Sequence, residues 1–408
     1  MSLEVLPLGV KCNIACTYCY QQPMRSGEKN RQYDLDKMKN ALIADGKDFV
    51  VFGGEPLLLP LQDLEELLRL SFERGGYSGV QTNATLITDS HLVLFHKYCT
   101  HVGISLDGPG ELNDTRWSGS LERTRETTAQ SEIALNHVLD SGLQCSLIIT
   151  LSKVNASPDK IKRLIAWVTS LGQKGLKSVR LHLMEIDSPK AKELMLSEDE
   201  TVNALLQFHR AEPFIGVQLD LFKDMLALLR GKDDDVTCVW NGCDPWTTSA
   251  VRGVGPQGES LNCGRTNKTS TNWLKSEQVS HRRQLTLYQT PYEEGGCRGC
   301  RFFVVCKGQC PGEAIAGDFR NRSSNCRIWF RVLETLEAHL VAVRDCPISL
   351  HPQLSSIESA MLNEWKNNRA CSIRRGIDLA RGTSSPNYSS THGDVPHGDS
   401  HGDHNDNS

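Results

Sequence analysis

Short apolar runs alternate with segments of helical period through the first two hundred residues. The runs Leu3–Leu8, Asp48–Phe52, Gly79–Thr82, His101–Ser105, Cys145–Leu151 and Val179–Ile186 read as buried strands. Between them, Leu61, Leu64, Leu67 and Leu68 recur on one helical face, and Gly75–Gly76 closes that helix. Another helix is predicted to start at Ser157–Pro158, a capping residue followed by a proline at the first helical position. Six strand–helix units predict an α/β fold with a parallel sheet and right-handed crossovers. Six units rather than eight predict an open, partial (β/α)6 barrel.

The pattern changes beyond residue 200. Residues 201–235 are expected to form a helical linker, overlapping an apolar-periodic stretch from Glu198 to Gly231. From Cys238 to Cys326 there are eleven glycines, eight cysteines and little periodicity. Such a segment is expected to lack a large apolar core and to depend on metal. The predicted units are therefore a barrel over 1–200, the linker, a small cysteine-rich domain over 236–330 and a helical region over 331–382. A helix from Ile328 to about Val343 packs back on the body. The tail 383–408, rich in Ser, Gly, His, Asp and Asn, is expected to be disordered.

Composition narrows the chemistry. The 45 basic and 49 acidic side chains leave a net charge of −4, which favours neither nucleic acid nor a membrane surface. No apolar run is long enough to span a bilayer, and the start of the chain reads directly as a strand rather than a signal peptide. A cytoplasmic location is expected. Fifteen cysteines in such a chain argue for metal or redox work rather than disulfides.

Cys12, Cys16 and Cys19 give a C-x3-C-x2-C run after the first strand. Three thiolates on one loop can hold three irons of a [4Fe–4S] cluster and leave the fourth open. The same run alone could hold zinc. Three further loops converge on the same mouth, because parallel α/β folds bind ligands at the carboxyl ends of their strands. They carry Gly53-Gly54-Glu55-Pro56, then Gln81-Thr82-Asn83, then Ser105 through Asp107-Gly108-Pro109 to Arg116. Glycines admit close backbone approach. Gly53, Gly54, Glu55 and Pro56 offer acceptors to an amino group; Ser105 and Arg116 suit a carboxylate. Tyr18 can pack on an aromatic base.

Over residues 1 to about 200 these motifs resemble the radical SAM superfamily. The resemblance implies that Cys12, Cys16 and Cys19 hold a SAM-binding [4Fe–4S] cluster. It also implies that Tyr18, Gly53, Gly54, Glu55, Pro56, Asn83, Ser105 and Arg116 bind S-adenosylmethionine (SAM). The implied chemistry is reductive cleavage of SAM to a 5′-deoxyadenosyl radical that takes a hydrogen atom from substrate.

Cys243, Gly258 and Cys263 give C-x14-G-x4-C, and Cys297, Cys300, Cys306 and Cys310 give C-x2-C-x5-C-x3-C, with Cys326 after a gap. This resembles the SPASM domain of peptide- and protein-modifying radical SAM enzymes. The resemblance implies two auxiliary [4Fe–4S] clusters, three clusters in all. It assigns Cys297, Cys300, Cys306 and Cys326 to one, and Cys243, Cys263 and Cys310, with Cys238 as the fourth ligand, to the other. Zinc is the competing occupant on donor chemistry alone. Cys99 and Cys145 are expected to be buried and inert.

The reading is a radical SAM oxidoreductase that oxidises or crosslinks a side chain of a ribosomally made peptide. The peptide would be recruited by the barrel and SPASM surfaces or through a separate recognition protein. A flavodoxin- or ferredoxin-type donor supplies electrons. The alternatives are a formylglycine-generating sulfatase-maturing enzyme, which the chain resembles at Gln81-Thr82-Asn83 and Ser105 to Pro109, and a small-molecule radical SAM dehydrogenase. Sulfatase-maturing enzymes carry a carboxylate directly after the cysteine matching Cys263; here Gly264 and Arg265 follow. Asp107, Asn113 and Asp114 are expected to cap loops, and Arg265 and His182 to be structural. The repeat at His392, His397 and His401 has three readings: a solvated tail, a weak metal tract, or a fused substrate.

Overall fold

The computed structural model describes residues 3–26, 32–185, 189–247, 252–266 and 279–382. Strands β1 (Leu3–Val5), β2 (Phe49–Val51), β3 (Ser78–Thr82), β4 (Thr100–Ser105), β5 (Cys145–Leu151) and β6 (Ser178–Leu183) lie side by side in chain order, all parallel. Helices α1 (Leu35–Asp45), α2 (Leu61–Gly75), α3 (Asp89–Lys97), α4 (Leu121–Asp140) and α5 (Ile161–Gln173) alternate with them. Leu64, Leu67 and Leu68 of α2 are fully buried, and Gly76 closes that helix at φ +72, as the pattern predicts. Residues that face away from the helices surround a cavity of about 910 Å3 inside the curled sheet, among them Glu4, Gln81, His101, Ser146 and Arg180.

Several boundaries differ from expectation for local reasons. Strand one stops at Val5 rather than Leu8, because Gly9 at φ +58 turns the chain into the cysteine loop. Strand six stops at Leu183, and its expected end at Ile186 lies outside the described residues. Helix α5 starts at Ile161 rather than after Ser157. The Ser157 hydroxyl donates to Asp159 across 2.6 Å, and a turn precedes the helix. After α6 (Pro189–Leu194), the helical stretch from Glu198 is split. Gly216 at φ +66 ends α7 (Glu198–Ile215), two residues form β7 (Gln218–Leu219) on the edge of β6, and α8 (Asp220–Leu229) follows.

The cysteine-rich segment departs furthest from expectation. Its β8 (Arg252–Val254) pairs parallel to β1, and β9 (Ser260–Asn262) folds back on β8, so the segment extends the barrel sheet. These three-residue strands carry too little apolar pattern to be read. Nor does the segment lack a core. It contains α9 (Arg282–Gln289) and α10 (Phe303–Cys306). Trp240, Leu287, Phe302, Phe303, Val304 and Val305 are buried in one apolar cluster with Ile328, Val332 and Leu336 of α11 (Cys326–Ala342). Helices α12 (Leu354–Lys366) and α13 (Ile373–Ala380) pack on each other at the end. The tail 383–408, with its His-Gly-Asp repeat, lies outside the described residues. Cys145 is buried as expected; Cys99 is exposed instead, at φ +45 in the tight turn that leads into β4.

Candidate functional site

Backbone hydrogen bonds build the first cysteine loop into its neighbours. On one side Gly54 N donates to Gly9 O at 3.0 Å and Glu55 N to Lys11 O at 2.8 Å. On the other, Ala15 N donates to Trp117 O at 2.7 Å and Thr17 N to Thr115 O at 2.8 Å. The loop after β1 is therefore sewn to the loops after β2 and β4. A Cβ on Gly54 would lie 2.0 Å from the Lys11 carbonyl oxygen, so only glycine permits the approach. Cys12, Cys16 and Cys19 influence one another electrostatically, which groups their thiols. Burial pushes the Cys16 thiol up to about 12, against the pull of Arg116.

Arg25, which the sequence reading missed, ties the loop across. Its guanidinium donates to Val10 O at 3.1 Å, Ile14 O at 2.7 Å and Cys19 Sγ at 3.4 Å. A lone arginine six residues after the last cysteine gives no warning of this. Asn83 Nδ2 lies 3.8 Å from Cys12 Sγ and donates to Asn13 Oδ1 at 2.8 Å. Donors aimed at sulfur suit thiolates that carry charge.

Glu55 is fully buried. Its carboxylate accepts from Leu57 N, the Thr82 hydroxyl and Asn83 N at 3.1, 2.6 and 2.8 Å, which locks the turn after β2 to the end of β3. Burial raises its pKa to about 7 against those three donors. Ser105 accepts from Gln81 Nε2 at 2.8 Å. Gln81 reaches it over Gly103, whose lack of a Cβ leaves the path open.

Arg116 pairs with Asp107 at 2.9 Å, and the Asp107 side chain is wholly buried. Asp107 also accepts from the Tyr18 hydroxyl at 2.6 Å, the Thr115 hydroxyl at 3.1 Å and Thr150 N at 2.9 Å. The Tyr18 ring faces the Arg116 guanidinium at 5.7 Å, so its polar end is committed to this hub. Asn113 accepts from Asp107 N, and Asp114 pairs with exposed Arg125, the loop roles expected of both. Arg116 Nε is buried and has no hydrogen-bond partner. An orphaned guanidinium donor at this mouth suits a ligand carboxylate.

The later cysteines fall into sets. Cys297, Cys300, Cys306 and Cys326 influence one another electrostatically, as do Cys263, Cys310 and Cys238. Burial pushes Cys297 up to about 12 and Cys310 to about 11. The Arg283 guanidinium donates to the Cys243 carbonyl at 3.2 Å and lies within electrostatic reach of Cys310 and Cys297. Among the described residues no three of these side chains close to metal-ligating distance. The sets thus supply soft donors grouped by the fold, which fits iron–sulfur or zinc chemistry.

Tyr20 joins the two halves. It follows Cys19 directly, yet its surroundings include Glu4, Cys263, Glu185 and Arg265. A Cβ on Gly264 would sit 3.0 Å from the Tyr20 hydroxyl. That contact explains the glycine: the space for a side chain at 264 is taken from the other half. Arg265 is clamped between Glu185, at 2.6 Å, and Glu313. Burial and the nearby arginines hold His182 well below its ordinary pKa, so it is neutral.

Residues 6–180 match the model of the radical SAM superfamily. The chain is 30% identical over 128 residues to the cysteine-type anaerobic sulfatase-maturating enzyme of Clostridium perfringens, covering 28% of this chain and 35% of that one. It is 33% identical over 125 residues to the serine-type enzyme of Bacteroides thetaiotaomicron, covering 27% and 30%. The chain thus spans about a third of the length of these curated relatives. An uncharacterized protein of Archaeoglobus fulgidus is 25% identical over 335 residues, 78% of this chain and 76% of that one. Among solved structures, native anSMEcpe with bound AdoMet and Cp18Cys peptide superposes with a TM-score of 0.62 at 20% identity, covering 84% of this chain and 98% of that one. Streptococcus suis SuiB bound to S-adenosylmethionine gives 0.55 at 15% identity, covering 80% and 77%. At these identities the two likenesses are of fold. The superfamily implies a [4Fe–4S] cluster and SAM, and the grouped thiols, the close-approach glycine and the orphaned arginine fit both. Through residues 6–180 this chain is similar to the radical SAM superfamily.

Proposed function

We propose that the protein is a peptide maturase that cleaves SAM reductively and oxidises or crosslinks a peptide side chain. One observation carries this reading. The loop with Cys12, Cys16 and Cys19 is hydrogen-bonded both to the Gly53–Pro56 turn and to the segment around Arg116, while further thiol sets stand in the half that Tyr20 reaches. When bound, the cluster and SAM would supply the radical chemistry that takes a hydrogen atom from the substrate.

The chain's own residues bind, orient and shield. Cys12, Cys16 and Cys19 hold the cluster, and Arg25 and Asn83 donate toward its sulfur ligands. Gly53, Gly54 and Glu55 present acceptors to the SAM ammonium. Arg116, held by Asp107, presents Nε to the carboxylate beside Ser105. The Tyr18 ring packs against the Arg116 guanidinium. Cys297, Cys300, Cys306 and Cys326 hold one auxiliary cluster; Cys238, Cys243, Cys263 and Cys310 hold the other. In this reading residues 1–200 form the barrel, 236–330 the auxiliary domain, and 201–235 and 331–382 helical flanks. A flavodoxin- or ferredoxin-type carrier delivers electrons.

A peptide substrate is supported by the peptide bound in the structural relative. Formylglycine formation is less favoured, because Tyr20 fills the position where the sulfatase-maturing pattern has a carboxylate. The test is mass spectrometry of short peptides encoded beside the gene, coexpressed with this protein. A loss of two hydrogens, absent with Cys16→Ala, is expected. No mass change, with no deuterium uptake from heavy water, would overturn the peptide reading.

A further inference from the structure

Arg283 is buried to 1% exposure near the start of α9, among the cysteine sets. Its guanidinium donates only to backbone carbonyls. Nε reaches Phe319 O at 2.5 Å; Nη1 reaches Cys243 O at 3.2 Å and Lys307 O at 3.5 Å; Nη2 reaches Gly308 O at 3.4 Å and Asn321 O at 3.0 Å. Among the described residues no carboxylate forms an ion pair with it. Arg322, also buried, likewise donates to carbonyls, those of Tyr292 and Gly296, whereas Arg116 pairs with Asp107 and the partly buried Arg265 with Glu185 and Glu313.

A buried cation held by carbonyls alone is costly, because dipoles replace water only in part. Something nearby must carry negative charge. The groups that act on Arg283 most strongly are Cys243, Cys310 and Cys297, ahead of Asp244. Cys243 and Cys310 belong to one proposed cluster and Cys297 to the other. Arg283 thus stands between the two thiol sets, and its carbonyl partners include Cys243 itself and Gly308, two residues before Cys310. As free thiols the cysteines are neutral and leave the cation uncompensated. As ligands they are thiolates, and the cation is balanced from both sides.

We infer that Arg283 is the shared counter-charge of the two auxiliary cysteine sets, and that it raises the reduction potential of both clusters they hold. The physics is that of a fixed cation in a poorly solvated site. Reduction adds one electron to a cluster, and a positive charge nearby stabilises the more negative product. Placing one cation between two clusters makes both easier to reduce. That suits sites which receive an electron from a substrate radical. This inference rests on the three-cluster reading, and its own content is the charge on one side chain.

The test is a redox titration followed by electron paramagnetic resonance on iron-reconstituted protein lacking Cys12, Cys16 and Cys19, so that only auxiliary signals are read. Iron and sulfide are counted first. If the parent protein holds no auxiliary iron, the cluster reading falls and this inference with it. With auxiliary iron present, Arg283→Gln is expected to move both midpoints to more negative potential. Arg283→Lys, which keeps the charge, should leave them close to the parent. Unmoved midpoints in Arg283→Gln at equal iron content would overturn the inference. Where Arg283→Gln does not retain iron, Arg283→Met is read in the same way. Loss of iron in both neutral variants but not in Arg283→Lys would support the charge; loss in all three would assign Arg283 to packing and overturn it.

Discussion

The two thiol-bearing halves of this molecule are built by different means. In the barrel half, three cysteines sit on one loop whose place is set by a regular parallel sheet. Its neighbours are the loops after β2 and β4, and backbone hydrogen bonds join them. In the other half the cysteines are scattered over almost ninety residues with short elements between. There a buried arginine gathers carbonyls from three segments, and an apolar cluster shared with α11 supports them. Periodic structure can position chemistry through backbone alone. An irregular segment needs specific side chains to do the same.

The sharpest way to separate the halves is by cysteine. Cys16→Ala is expected to abolish SAM cleavage, read as 5′-deoxyadenosine by chromatography. Cys306→Ala should spare cleavage and block product. Full product from Cys306→Ala would make the second half merely structural.

Stability provides the next contrast. Arg116→Met leaves Asp107 buried without its cation and should cost about 3–5 kcal/mol in urea unfolding of metal-free protein. Phe303→Ala opens the apolar cluster of the cysteine-rich half and should also cost about 3–5 kcal/mol. If Phe303→Ala were neutral without metal, the second half would have no core of its own to lose, and the contrast drawn above would deepen.

Glu55 offers a smaller effect with a defined sign. Its pKa is raised to about 7, so the carboxyl is largely protonated at pH 6 and ionised at pH 8. Only the ionised form can pair with the SAM ammonium. Affinity for SAM, measured by equilibrium dialysis on cluster-loaded protein, should rise between pH 6 and 8 by up to about tenfold. A flat profile would mean that the ammonium is met by backbone alone. The smallest effect is expected far from both thiol regions. Ser197 and Glu200 form a reciprocal cap on α7, and Ser197→Ala should cost about 1 kcal/mol of thermal stability without moving activity.

Much of the barrel half could be read in advance. Apolar runs near the six strands, the leucine face of α2 and the Gly76 stop all follow from local rules, and the cysteine, Gly-Gly-Glu-Pro and Arg116 motifs fall after successive strands. What escaped reading there was longer in range. Arg25 acts on Cys19 through a loop that doubles back, and Asp107 gathers Tyr18 and Arg116 from two loops and Thr150 from strand β5. In the other half the cysteine spacing was legible while the architecture was not. Strands β8 and β9 have three residues each; β8 joins β1 across more than two hundred residues of chain, and β9 joins β8. Arg283 looks like any surface arginine in Ser-His-Arg-Arg-Gln until the fold buries it.

The sequence by itself determined the parallel α/β body, the order of its loops and the places of the cysteines along the chain, because hydrophobic period and residue chemistry act over a few neighbours. Only the tertiary structure decided which loops touch, that Gly264 faces Tyr20, and that one buried cation stands between two cysteine sets. Those facts depend on distances through space, and desolvation gives a charge its meaning only after the chain has closed around it.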